Sequence, residues 1–85
     1  MKYPTIKSVH AIDECTLLVE FDDCEIKKYD VTPLLDREMF APLKNPAFFR
    51  NVQVDQGGYA IYWNEDIDIS EHELWQNGEE LSLVP

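Results

Sequence analysis

The sequence predicts an α+β fold: a mainly antiparallel sheet of about five or six short strands, paired as two or three hairpins, with short helices at 33–50 and 71–77 packed on it. Three observations point there. Apolar residues recur with period 2 between acidic or glycine-bearing turns. The pairs Thr32-Pro33 and Asn45-Pro46 open helical stretches. Ser70-Glu71-His72-Glu73 has the form of a capping box. At 85 residues the chain supports one small core, so it reads as a single domain over 1–85, with 79–85 a C-terminal tail.

Ile6 to Ile12 is apolar and β-branched, Asp13-Glu14 interrupts it, and 16–21 resumes with Leu17, Val19 and Phe21 on one face, which predicts a hairpin. Asp22-Asp23 turns the chain into a third strand over 25–31, where Ile26 and Tyr29 fall on opposite faces; a bulge or an edge position would reconcile them. The Thr32 hydroxyl is expected to cap the helical turn that Pro33 enters. Met39, Phe40 and Leu43, then Ala47-Phe48-Phe49 after Asn45-Pro46, predict two or three short helical segments whose aromatics face the sheet.

A second hairpin follows. Val52 and Val54 point inward, Gln56-Gly57-Gly58 turns, and Tyr59, Ile61 and Trp63 return on one face. After Asn64-Glu65 the segment 66–69 reads as a strand with isoleucines on one side and aspartates on the other. Ser70 then caps a helix in which Glu73 is its reciprocal partner and Gly78 the stop. Trp63 and Trp75 are expected to complete the core, with Tyr62 on the opposite face.

The charge narrows the function classes. Seventeen acidic residues against seven basic ones give a formal net charge of -10, which gains nothing from counterion release on phosphate and argues against direct nucleic-acid binding. The same field attracts a basic protein and repels anionic lipid, and it also keeps a domain soluble. No apolar run approaches a membrane span and the start MKYPTIKSVH has no export core, so a cytoplasmic location with no membrane partner is expected. Cys15 and Cys24 lie at opposite ends of the second strand, on the order of 20 Å apart at strand rise, and read as free thiols.

No chemistry-bearing motif survives inspection. An EF-hand begun at Asn64 would need glycine where Ile69 stands, and His10 and His72 have no metal-ligand spacing, so no metal or other cofactor is expected. Ser70, His72 and Asp68 can be imagined as a nucleophile system, but Ser70 is better explained as a cap, so no catalytic residue is assigned. The candidate partner-binding residues are Tyr62, Glu65, Asp66 and Asp68, the one stretch where acids and a ring share a side.

The blocks LLVEFDDCE, YDVTPLL, FAPLKNPAFFRNVQVD, IYWNEDIDIS and ELWQNG, in this order, resemble the small bacterial proteins of the domain of unknown function 2442 family, from about Ile6 to Gly78. The resemblance implies an α+β domain of antiparallel strands with short helices and little about function; some members look like halves of toxin–antitoxin pairs. The pattern matches Phe21, Asp30, Pro33, Leu34, Leu43, Phe49, Trp63, Asp68 and Leu74. Most fit core or cap roles, and Asp30 and Asp68 fit acceptors of backbone N–H groups at strand-to-helix corners. Cys24 and Glu65 stand where the family's turns usually carry glycine.

The reading that results is a non-enzymatic, acidic protein-interaction module, an antitoxin-like or regulatory partner of a basic protein. The alternative is a small-ligand sensor domain of a regulatory system, and an enzyme of unknown type comes third. Open sheet edges leave a homodimer as a further expectation.

Overall fold

The computed structural model of the chain describes residues 4–80. Along the chain come β1 (Ile6–Ala11), β2 (Thr16–Phe21) and β3 (Ile26–Asp30), then 3-10 segments at Thr32–Leu34 and Glu38–Lys44 and the short helix α1 (Pro46–Phe49). β4 (Gln53–Val54), β5 (Ala60–Tyr62), β6 (Asp68–Ser70), α2 (Glu71–Asn77) and β7 (Glu79–Glu80) follow. The strands form two antiparallel sheets, β1-β2-β3-β7 and β4-β5-β6. This is the α+β architecture the pattern predicts, divided into two sheets and lengthened by a strand. Residues 81–85 of the expected tail lie outside the described residues, whereas Glu79 and Glu80 pair with Lys28 and Lys27.

β2 is the best-specified strand, because one face meets the core along its whole length. Leu17, Val19 and Phe21 are fully buried there. The two hairpin turns around it are closed by carboxylates: Asp13 accepts the Cys15 N–H at 2.9 Å and Asp23 accepts the Glu25 N–H at 3.0 Å. Cys24 takes φ 72°, the left-handed conformation glycine would hold without strain, while Glu65 does not. Both thiols are free.

Several local expectations are corrected. β3 has no bulge and is not an edge; it lies between β2 and β7, and the register irregularity is in β1, between Ile6 and Ser8. Ile26 is only half-buried and Tyr29 is buried, so the strand has one core face after all. Thr32 is not a cap but the first residue of its 3-10 turn, and its N–H is taken by Asp30 at 2.9 Å. Asn45 does cap α1, accepting from Ala47 and Phe48. Of the aromatics expected to face the sheet, Phe40 and Phe49 are buried and Phe48 is half-buried; Leu43 beside them is buried and Met39 is 60% exposed.

Strand β4 contracts to two residues, with Val52 and Val54 half-buried against the core. Tyr59 shares parity with Ile61 and Trp63 yet stays 61% exposed, because the strand begins only at Ala60 and the ring lies over Gly57. Trp63 is buried, stacked on Phe49 at 6.0 Å, and its indole N–H donates to the Phe49 carbonyl at 2.9 Å. Trp75 is half-buried at the margin instead: it meets Phe21 edge-on at 5.1 Å and lies under Lys27, whose ammonium sits 4.1 Å from the ring centroid and donates to the Trp75 carbonyl at 2.6 Å.

At the start of α2 the Ser70 hydroxyl accepts the Glu73 N–H at 3.1 Å, a bond that stabilises the helix by about 1 kcal/mol. The other half of the box is not made. Glu73 turns away to accept a hydrogen bond from Tyr29. Gly78 ends the helix in extended backbone, φ -71°, and its requirement is space: a Cβ there would lie 2.4 Å from the Leu74 carbonyl oxygen and 3.1 Å from Lys27 Cβ.

Candidate functional site

Two adjoining surfaces carry the polar chemistry. The first is the outer side of the β4-β5-β6 sheet. Ile61 and Ile69 are buried on the inner face, so alternation places Tyr62, 37% exposed, outside, and the register sets it directly opposite Asp68. Tyr62, Glu65 and Asp68 line a shallow hollow of about 420 Å³ with Asp55, Ala60 and Asn64, a lining that contains no lysine or arginine. Asp66 does not line it. The Asn64 side chain accepts the N–H groups of Asp66 and Ile67 at 2.8 and 2.9 Å, which folds 64–67 into a turn and leaves Asp66 outside the strand. Asp55, absent from the sequence reading, joins the hollow because its carboxylate holds the Tyr59 N–H at 2.8 Å across the glycine turn.

The second surface is a cleft between β3, the turn after it, and α2. It has a part of about 610 Å³ that includes Lys28, Asp30, Pro33, Asn77 and Glu79, and a part of about 260 Å³ that includes Phe40, Asp68 and Ser70. Tyr29, Leu34, Arg37 and Glu73 line both. Asp30, Pro33, Leu34 and Asp68 therefore meet along one cleft, though they are far apart in sequence. Asp30 also serves the corner: the Thr32 hydroxyl and then its N–H hold the carboxyl below its usual 3.8. Asp68 accepts no backbone N–H from the described residues, so the corner role fits Asp30 alone of the two.

Inside the cleft the Tyr29 hydroxyl donates to Glu73 Oε2 at 2.7 Å. Burial first, then that bond and the charge of Glu73, push the tyrosine pKa up from 10.0. The raised value means the folded state keeps a proton that the unfolded chain loses above pH 10. The stability this bond supplies is therefore present below pH 10 and declines as the pH rises beyond it. Tyr29→Phe is expected to cost about 1.5 kcal/mol at neutral pH, the worth of a hydrogen bond to a charged acceptor, and to flatten the alkaline decline in urea midpoint. A variant that keeps the full alkaline decline would show that another group causes it.

Sequence reasoning missed Tyr29, Arg37 and Glu73 as a group. The sequence pattern places Tyr29 only on the strand face opposite Ile26 and gives Glu73 to the cap, and Arg37 follows no motif; it reaches the cleft from between the two 3-10 segments that follow β3. Among the described residues no three His, Cys, Asp or Glu side chains gather as a metal site, and no helix is long and apolar enough to cross a membrane.

No curated protein and no solved structure matches the chain. A family model does, over residues 6–80, which takes in both sheets, the helical segments between them and every residue that lines the hollow and the cleft. The chain thus belongs to the family described as "Protein of unknown function (DUF2442)".

Proposed function

We propose that the domain is an interaction module for a basic protein, in an antitoxin-like or regulatory role, and that the outer face of the β4-β5-β6 sheet is its contact surface. The observation that carries this reading is the exposed Tyr62 among Asp55, Glu65 and Asp68 in a hollow whose lining holds no cation. An accessible ring offers apolar area and a hydroxyl to a partner, and carboxylates around it steer a cation toward it. The net charge of -10 extends that steering beyond the contact itself.

The test begins with capture of binding proteins from the native cell at low and high salt, followed by kinetics with the captured partner. Glu65→Lys combined with Asp68→Lys is expected to slow association about tenfold at low salt and to reduce its salt dependence. Tyr62→Ala is expected to act on dissociation, by removing buried area. Folded variants that bind as the parent does, or the absence of any salt-sensitive partner, would leave the acidity as a solubility feature. The cleft would then favour a second reading, a small-ligand sensor, because it is concave and sets Tyr29 and Arg37 beside carboxylates.

A further inference from the structure

The free edge of β6 adjoins both surfaces. In antiparallel pairing, residue pairs alternate between those that exchange hydrogen bonds and those whose backbone groups point away from each other. The Trp63 N–H donates to the Ile67 carbonyl and the Glu71 N–H to the Tyr59 carbonyl, each at 2.9 Å, so these are bonded pairs. Counting along the register, Ile61 with Ile69 is bonded as well, and Tyr62 with Asp68 and Ala60 with Ser70 are not. The N–H and C=O of Asp68 and the N–H of Ser70 therefore point to the outer edge of the sheet, where they meet no backbone partner among the described residues. The Ser70 carbonyl is engaged as the first acceptor of α2.

From this geometry we infer that β6 is a docking edge onto which an extended basic segment of the partner adds as a further antiparallel strand. The inference rests on the proposed contact with a basic protein and specifies how that contact is made. Three backbone groups at strand spacing match one narrow hydrogen-bonded pair at Asp68 and a further acceptor opposite Ser70. A residue paired with Asp68 has its side chain on the face of Asp68 and Tyr62, where charge complementarity selects lysine or arginine. Its neighbours in the added strand point the other way, toward the part of the cleft that Leu34 and Phe40 share with Tyr29, Arg37 and Glu73, where Arg37 disfavours another cation and Leu34 and Phe40 offer contact to an apolar side chain. The segment that fits best alternates basic and apolar residues. A second copy of this chain fits worse, since it would set Asp68 near Asp68 between two bodies of charge -10.

The test uses capped peptides in which lysine alternates with valine, read by amide exchange and chemical shift in the intact domain. The parent peptide is expected to slow exchange of the Asp68 and Ser70 amides about tenfold. N-methylation at the lysines, whose backbone groups face β6, is expected to weaken binding at least about tenfold, whereas N-methylation at the valines leaves it. If both methylated peptides bind alike and perturb only the surroundings of Tyr62 and Glu65, the edge inference falls and the acidic-face reading stands. If neither these peptides nor a lysine–glycine peptide of equal charge binds, both fall. Protection of the two amides in peptide-free protein that rises with protein concentration would assign the edge to a second copy and overturn the basic segment as its occupant.

Discussion

Phe49→Ala is expected to lower the unfolding free energy by about 4 kcal/mol, the largest loss anticipated for any single change here. The ring is fully buried, stacks on Trp63 and lies at the end of α1, so its removal opens a cavity between the helical segments and the second sheet. Its carbonyl also anchors the Trp63 indole, which loses its fixed orientation when the helix end relaxes. A domain of this size has a total stability of about 4 to 13 kcal/mol, so the variant sits at the margin of folding. Urea unfolding followed by tryptophan fluorescence reads the change, and a loss under about 1 kcal/mol would contradict the placement of the ring in the core.

Gly58→Ala is expected to cost about 2 kcal/mol, and Gly57→Ala beside it much less. Gly58 has φ +75°, and an added Cβ would sit 2.8 Å from the Ile6 carbonyl oxygen, a backbone atom of β1. The same residue joins the two sheets, because its own carbonyl accepts the Ile6 N–H at 2.8 Å. Gly57 has a closer contact on paper, 2.5 Å, but to the far end of the exposed Tyr59 ring, which can swing away. Thermal unfolding of the two variants separates the cases; equal losses would mean that the conformation at Gly58 is not constrained.

The residues legible in sequence are those whose local pattern and burial agree. Leu17, Val19 and Phe21 repeat with period 2 on a strand paired on both sides, and all three are buried. Ser70 and Asn45 act through bonds within three residues, which a sequence shows directly. Tyr59 was misplaced because parity cannot tell where a strand begins; the Asp55 carboxylate holds its N–H and delays the strand by one residue. β7 carries two glutamates and no apolar pattern, so only its backbone pairing with Lys27 and Lys28 reveals it. The hollow was partly legible, since the hairpin sets Tyr62 opposite Asp68, but Asp66 fell out of it when Asn64 closed its own turn. The cleft was not legible at all, because it depends on where the 3-10 turn and α2 meet β3, a long-range matter.

The turn-closing carboxylates also set rules of substitution. Asp13, Asp23, Asp30 and Asp55 each hold a backbone N–H through an oxygen that asparagine would also supply. At those positions the alphabet is effectively two letters, and a change between them alters charge while sparing the corner. Glu65 and Asp68 hold no backbone donor of the described residues, so replacing either breaks no turn-closing bond, although a cation at 68 would share the cleft with Arg37. Drift in net charge among related chains therefore has two sources that overlap at Asp55 alone, which closes a turn and also lines the hollow. Exchange at Asp13, Asp23 and Asp30 leaves the hollow untouched, whereas loss at Glu65 and Asp68 removes the proposed contact surface without breaking a turn-closing bond.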